Sequence, residues 1–168
     1  MPYVLDTNVF IQAKNLHYGF DFCPAFWDWL ILSNRTGLVF SVEKVADELL
    51  VGDDELVEWT KSRGPDFFLP LDPAVIEALP RVSSWVMEAS YEPAAVNTFF
   101  QVADYYLVAH ALAYGFAIVT HEVPAATRKK VKIPNVCVGL GISYLNPFEM
   151  LRREKARFVL EQTSVRQS

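Results

Sequence analysis

Four acidic residues lie in sequence settings that suit chemistry. Asp6 ends the apolar run "YVL" and is followed by Thr7 and Asn8. Glu48 lies in "SVEKVADEL", Asp104 in "VADYYLVAHAL", and Glu122 comes just after "FAIVT". Carboxylates gathered in one place repel each other. At an effective dielectric of about 20, two unit charges 4 Å apart cost roughly 4 kcal/mol. A cluster of this kind is reasonable if a divalent cation sits in it or if protons are shared. Carboxylate and water ligands select hard cations such as Mg²⁺ or Mn²⁺. The reaction natural to such a centre is hydrolysis of a phosphodiester. The cation lowers the pKa of a water and offsets charge on the transferring phosphate.

Each acid taken alone also has a plainer reading. Asp6, Thr7 and Asn8 are all cap and turn formers and suit the start of a helix. Glu48 reads as a solvated helix residue, Asp104 as an acid at a helix start, and Glu122 as a loop acid. His121 is a general base or simply loop surface. His110 lies in an apolar helix and reads as a core or interface residue, and His17 carries no signal. Arg128, Lys129, Lys130 and Lys132 have two readings, a phosphate-binding strip or a solvated surface. Trp27, Trp29, Trp59 and Trp85 read as core or subunit interface. "GLGIS" lacks the flanks of a phosphate loop.

The acids need elements to position them. Residues 2–5 read as a buried strand and "GLVFS" (37–41) as a second. "FFLPL" (67–71) is a short strand or an extended link. "FAIVT" (116–120) is the clearest strand, and "NVCVG" (135–139) is expected to be the next. Helical patterns cover 23–34, 42–50, 54–64 and 72–90, the last kinked or split by Pro80. Another runs unbroken over 92–115, and the last covers about 146–162, with a frayed polar tail at 163–168. Strands that alternate with helices predict an α/β domain with a mainly parallel sheet. Sites in such sheets form beyond the carboxyl ends of strands, where Asp6 and the residues after "FAIV" stand.

The chain has 168 residues, 12 of them Phe, and a net charge of −5. That length suggests one domain, 1–168, with a substantial core. The net charge argues against nucleic-acid binding by bulk charge. The basic run at 128–132 keeps a local patch open. Cys23 and Cys137 lack metal-ligand spacing and are expected to be free thiols. No run is apolar and long enough for a membrane span. Met1-Pro2 leads directly into a strand pattern without the features of a secretory leader, so a cytoplasmic location is expected.

The blocks "VLDTNVF", "SVEKVADEL", "ADYYLVAHALAYG" and "AIVTHE" resemble the four signature blocks of the PIN domain family. They occur in family order and span roughly residues 3–150. The likeness is greatest to PIN-like proteins of the VapC toxin type. "KKVKIPNVC" resembles a segment of one PIN-like subfamily. The resemblance implies a three-layer α/β/α sandwich and a Mg²⁺- or Mn²⁺-dependent ribonuclease. It places Asp6, Glu48, Asp104 and Glu122 as catalytic metal ligands, with Asn8 and Thr120 orienting acids or waters. Glu122 departs from the Asp common at the fourth position. The resemblance further implies an RNA substrate, a cognate antitoxin and a homodimer.

Competing functions differ in class. One is a PIN-like protein-binding or RNA-binding module with little nuclease activity. Another is a phosphatase with Asp6 as nucleophile, disfavoured because Asn8 and Phe10 stand where such loops carry an acid and a hydroxyl. A dinucleotide-binding dehydrogenase is weaker still, for want of a Gly-rich turn after the first strand.

Overall fold

The computed structural model describes residues 1–161. Five strands form one sheet in the order β3-β2-β1-β4-β5, and every neighbouring pair is parallel. They are β1 (Tyr3–Leu5), β2 (Val39–Val42), β3 (Phe68–Leu69), β4 (Ala117–Val119) and β5 (Tyr144–Leu145). Helices flank the sheet, so the architecture is the three-layer α/β/α sandwich that the alternating pattern predicts. Parallel strands covered on both faces read as continuous apolar runs. All three residues of β1 and of β4 are buried.

Among the described residues, α1 (Thr7–Gln12) continues into a π turn at Ala13–His17. It is followed by α2 (Pro24–Arg35), α3 (Glu43–Leu49), α4 (Glu55–Lys61) and α5 (Pro73–Glu88). Then come α6 (Pro93–Gln101), α7 (Ala103–Tyr114), α8 (Ile133–Leu140) and α9 (Pro147–Arg153). The α7 helix packs against β1, β2 and β4 and lies along α5 and α8. Five of its residues, from Leu107 to Ala111, are buried in succession, which makes it the central helix of its layer.

Phe10, Trp27, Trp59 and Phe67 pack into one aromatic cluster, with Trp27 and Trp59 ring centroids 5.0 Å apart. The core reading of those two tryptophans therefore holds. Both cysteines are free. No helix among the described residues is long and apolar enough to cross a membrane.

Four boundaries differ from expectation. Residues 135–139 are not a strand but lie in α8. Pro134 fits that helix's first turn, and Gly141, at φ +71°, closes it. The expected strand is displaced to β5, too short to show a pattern. The run 92–115 is two helices, because Val102 adopts extended φ −107° and ψ 169° between α6 and α7. Pro80 splits nothing. It is exposed on an unbroken α5, where water can satisfy the carbonyl its ring leaves unpaired. The last helix ends at Arg153, short of 162, and Lys155 beyond it turns the chain at φ +54°. Residue 162 and the tail at 163–168 lie outside the described residues.

Candidate active site

The strand order changes direction at β1. The next strand in sequence lies on one side of it and β4 on the other. A crevice beyond the carboxyl ends of strands at such a switch point is the ordinary place for a ligand site in an open α/β sheet. Leu5 and Val119 are register partners, so Asp6 and Thr120 emerge side by side. The Asp6 backbone N–H donates to Val119 O at 2.9 Å, which carries the pairing one residue past the strands. Ser41 Oγ donates to Leu5 O at 2.7 Å from the neighbouring strand and pins the same tip.

Asp6 is buried, with 4% of its surface exposed. It caps α1 through Oδ1, which accepts the Thr7 N–H at 2.7 Å. Its Oδ2 accepts the Thr120 hydroxyl at 2.8 Å. Thr120 is the hub of this corner. Its oxygen also accepts from Asn8 Nδ2 at 3.3 Å and from the Glu122 N–H at 3.1 Å. Asn8 Oδ1 in turn accepts the His121 N–H at 3.1 Å. The structure thus gathers Asp6, Asn8, Thr120 and the start of the Glu122 loop into one network. The capping reading of Asp6 holds through Oδ1, while Oδ2 turns to Thr120.

Glu48 reaches the same centre from α3. Oε2 accepts the Thr7 hydroxyl at 2.7 Å, and Oε1 accepts the Ala103 N–H at 2.9 Å. Glu48 therefore caps α7 from another helix. The extended Val102 is what exposes that N-terminus and sets Asp104 in its first turn. Thr7 was legible only as a turn residue. Its hydroxyl links the Asp6 loop to Glu48 across 41 positions of sequence, and no local pattern announces such a bond.

Glu122 is held by the segment that follows it. Oε2 accepts the Ile133 N–H at 2.9 Å, which caps α8, and Oε1 lies 3.9 Å from Lys130 Nζ. Ala125 N–H donates to Asn135 Oδ1 at 3.0 Å and closes the same loop. The extra methylene of Glu has a use here, since the carboxylate serves a helix eleven residues downstream.

The electrostatics bind the four acids into one system. Burial, then the charges of Glu122 and Glu48, push the Asp6 carboxyl up to about 7, although the hydrogen bonds from Thr120 and Thr7 oppose the rise. Burial, then Asp6, Glu122 and Glu48, push Asp104 up to about 8, with Lys130 opposing. Two acids whose protons are held more tightly than usual, in the field of two others, form a centre short of positive charge. Their all-oxygen donor set has the chemistry of a hard divalent cation site. Among the described residues, however, no three His, Cys, Asp or Glu side chains are drawn close enough to form a ready-made site. Glu48 and Glu122 each hold a backbone N–H instead. Asp6 and Asp104 are the donors whose protons a cation would displace first.

Of the basic run, Lys129 and Lys130 stand with Asp104 around one cleft. Arg128 is exposed, and its carbonyl accepts the Glu92 N–H at 2.9 Å. Lys132 is the residue before α8. His121 is half-buried and stacks on His17 at 5.5 Å, and Phe148 meets His17 edge-on at 4.9 Å. His17 thus has a packing role that no local pattern announces. His110 is fully buried on α7, and neither ring nitrogen has a partner. Burial pushes its pKa down to about 4, so it is a neutral core residue.

The fold and the position of this centre define an α/β/α sandwich with an acidic centre at the switch point of its parallel sheet. Residues 3–158 match the family described as "Domain of unknown function (DUF4411)", and the chain belongs to that family. Its fold is shared with a chain of VapBC2 from Rickettsia felis, solved bound to a DNA fragment from the promoter of its own genes. The two are 18% identical with a TM-score of 0.52, over 87% of this chain and 98% of the other. No curated protein matches the chain.

Proposed function

We propose that this protein is a Mg²⁺- or Mn²⁺-dependent endoribonuclease and the toxin of a toxin–antitoxin pair. The observation that supports the reading is Asp6 at the switch point of the sheet, electrostatically coupled to Glu48, Asp104 and Glu122. The pairing of the Rickettsia complex supports a cognate antitoxin as partner. A cation held by these carboxylates would lower the pKa of a water and offset charge on the phosphoryl group. The chain's own residues do the rest. Thr120 fixes the rotamer of Asp6 by donating to Oδ2. Glu48 sets the start of α7 and with it the direction of Asp104. Asn8 ties the β4 loop to α1. Lys129 and Lys130 attract the RNA backbone to an otherwise acidic centre.

The test is cleavage of an RNA panel by metal-stripped protein before and after Mg²⁺ or Mn²⁺ is restored. Asp6→Asn is expected to lose at least 100-fold in rate while melting as a folded protein.

A second reading has an observation of its own. Glu48 and Glu122 are both engaged as caps of other helices, which would suit a binding module that keeps the acids for structure. Mn²⁺ titration by calorimetry separates the two. The nuclease binds in a way that Asp6→Asn weakens, and the module shows no binding that the acids control.

A further inference from the structure

The acidic centre opens on one side into a cleft of about 290 Å³. Asp104 is one of the residues that line it. Its floor is apolar, made by Phe99 and Val102 at the junction of α6 and α7 and by Val131 opposite. Ala94 and Thr98 form one lip, and both are exposed. Lys129 and Lys130 form the other lip, also exposed. The wall that carries the lysines is anchored at both ends. Glu92 N–H donates to Arg128 O at 2.9 Å, and Ile133 N–H donates to Glu122 Oε2 at 2.9 Å. The cleft is therefore built into the fold, and little ordering is left to cost affinity on binding.

A largely apolar slot lined by two lysines and by Asp104 of the acidic centre matches the parts of a nucleotide. Its volume lies just below the usual range for small-ligand pockets, about 300–1,000 Å³, which suits one planar ring system. We propose that this cleft seats a single nucleobase of the RNA strand, next to the scissile phosphodiester, while Lys129 and Lys130 hold the adjoining phosphate. This rests on the ribonuclease reading and goes beyond it by giving the enzyme a base subsite. The walls carry few groups that could read a base edge. Thr98 Oγ1 donates to Ala94 O at 2.9 Å and keeps only its acceptor character for the cleft. The subsite selects for the presence and size of a base more than for its identity. An apolar side chain of a partner protein would also suit the floor, but the paired lysines favour an anionic chain.

The experiment uses fluorescein-labelled RNA hexamers, one unmodified and six with a single abasic site at successive positions. Binding to the full chain is read by anisotropy in chelator, where no cleavage interferes. Cleavage of the unmodified hexamer with Mn²⁺ added is read in parallel. One abasic position is expected to weaken binding about tenfold. Ala94→Trp, which fills the cleft from its exposed lip, is expected to bind the unmodified hexamer about as weakly and to lose that positional effect. Equal binding of all seven hexamers to the parent protein would overturn the subsite, and Mn²⁺-dependent cleavage would leave the nuclease standing. No binding and no cleavage of any hexamer would overturn both. A position effect unchanged in a folded Ala94→Trp protein would put the base elsewhere and overturn the subsite alone.

Discussion

Thr120 shows how much a single side chain can carry here. Its hydroxyl donates to Asp6 and accepts from two other groups. Thr120→Val keeps the shape and removes all three bonds, leaving the buried Asp6 Oδ2 without its donor. Cleavage should fall about 10- to 100-fold, as for groups that orient metal ligands. Thr120→Ser should restore most of it, and a merely space-filling role would predict the reverse order. Asp104 makes a different prediction. Without cation, the folded protein keeps protons on Asp6 and Asp104 that the unfolded chain loses near pH 4. Between about pH 4 and pH 8 the native state thus binds more protons, and stability falls as pH rises through that window. Asp104→Asn removes part of that fall. In chelator it should melt several degrees above the parent at pH 8, at about 2–4 °C per kcal/mol, and converge with it near pH 4. Parallel melting curves for the two proteins at both pH values would contradict the assigned burial of charge. Asp6 and Asp104 were legible in sequence because each interrupts an apolar run. Thr7 and His17 were not, since their partners come from distant segments.

Among the elements, the candidate acids double as helix caps. Glu48 holds the α7 N-terminus across a break at Val102, and Glu122 holds that of α8. The cap and the charge can be separated. Glu48→Gln keeps an acceptor for the Ala103 N–H, whereas Glu48→Ala loses it at a cost of about 1 kcal/mol, within the range for lost caps. Both should lose Mn²⁺ affinity, and only the alanine variant should melt lower in chelator. The same interplay explains which elements the sequence displayed. The runs "YVL" and "AIV" advertise β1 and β4 because both faces are covered. The break at Val102 has no Pro or Gly to mark it and depends on a carboxylate 55 positions away. α8 passed for a strand because "NVCVG" is short, apolar and β-branched, which periodicity alone cannot resolve. Gly139 within it has a packing reason. A Cβ there would stand 2.1 Å from the Trp85 indole, so α5 and α8 approach closely at that point. Gly139→Ala should destabilise by about 1–3 kcal/mol, as overpacked cores do, measured by denaturant unfolding.

For the whole molecule, the sheet's switch point, an acidic centre and a cationic-edged cleft occupy one connected region of an otherwise acidic protein. The fold class followed from the alternation of patterns along the chain, and the nearness of Asp6 to the residues after β4 followed from their places at the ends of neighbouring strands. What sequence could not supply was the degree of convergence, because that depends on which backbone N–H groups the two glutamates hold. The proposed nuclease needs these acids to bind a cation and the cation to be required for cutting RNA. The most direct measurement is RNA cleavage by metal-stripped protein with Mg²⁺ or Mn²⁺ added back, with Asp104→Asn run alongside. Cleavage restored by the cation in the parent and reduced at least 100-fold in the variant is the expected result. Equal cleavage by parent and variant, or cleavage indifferent to the cation, would contradict the account.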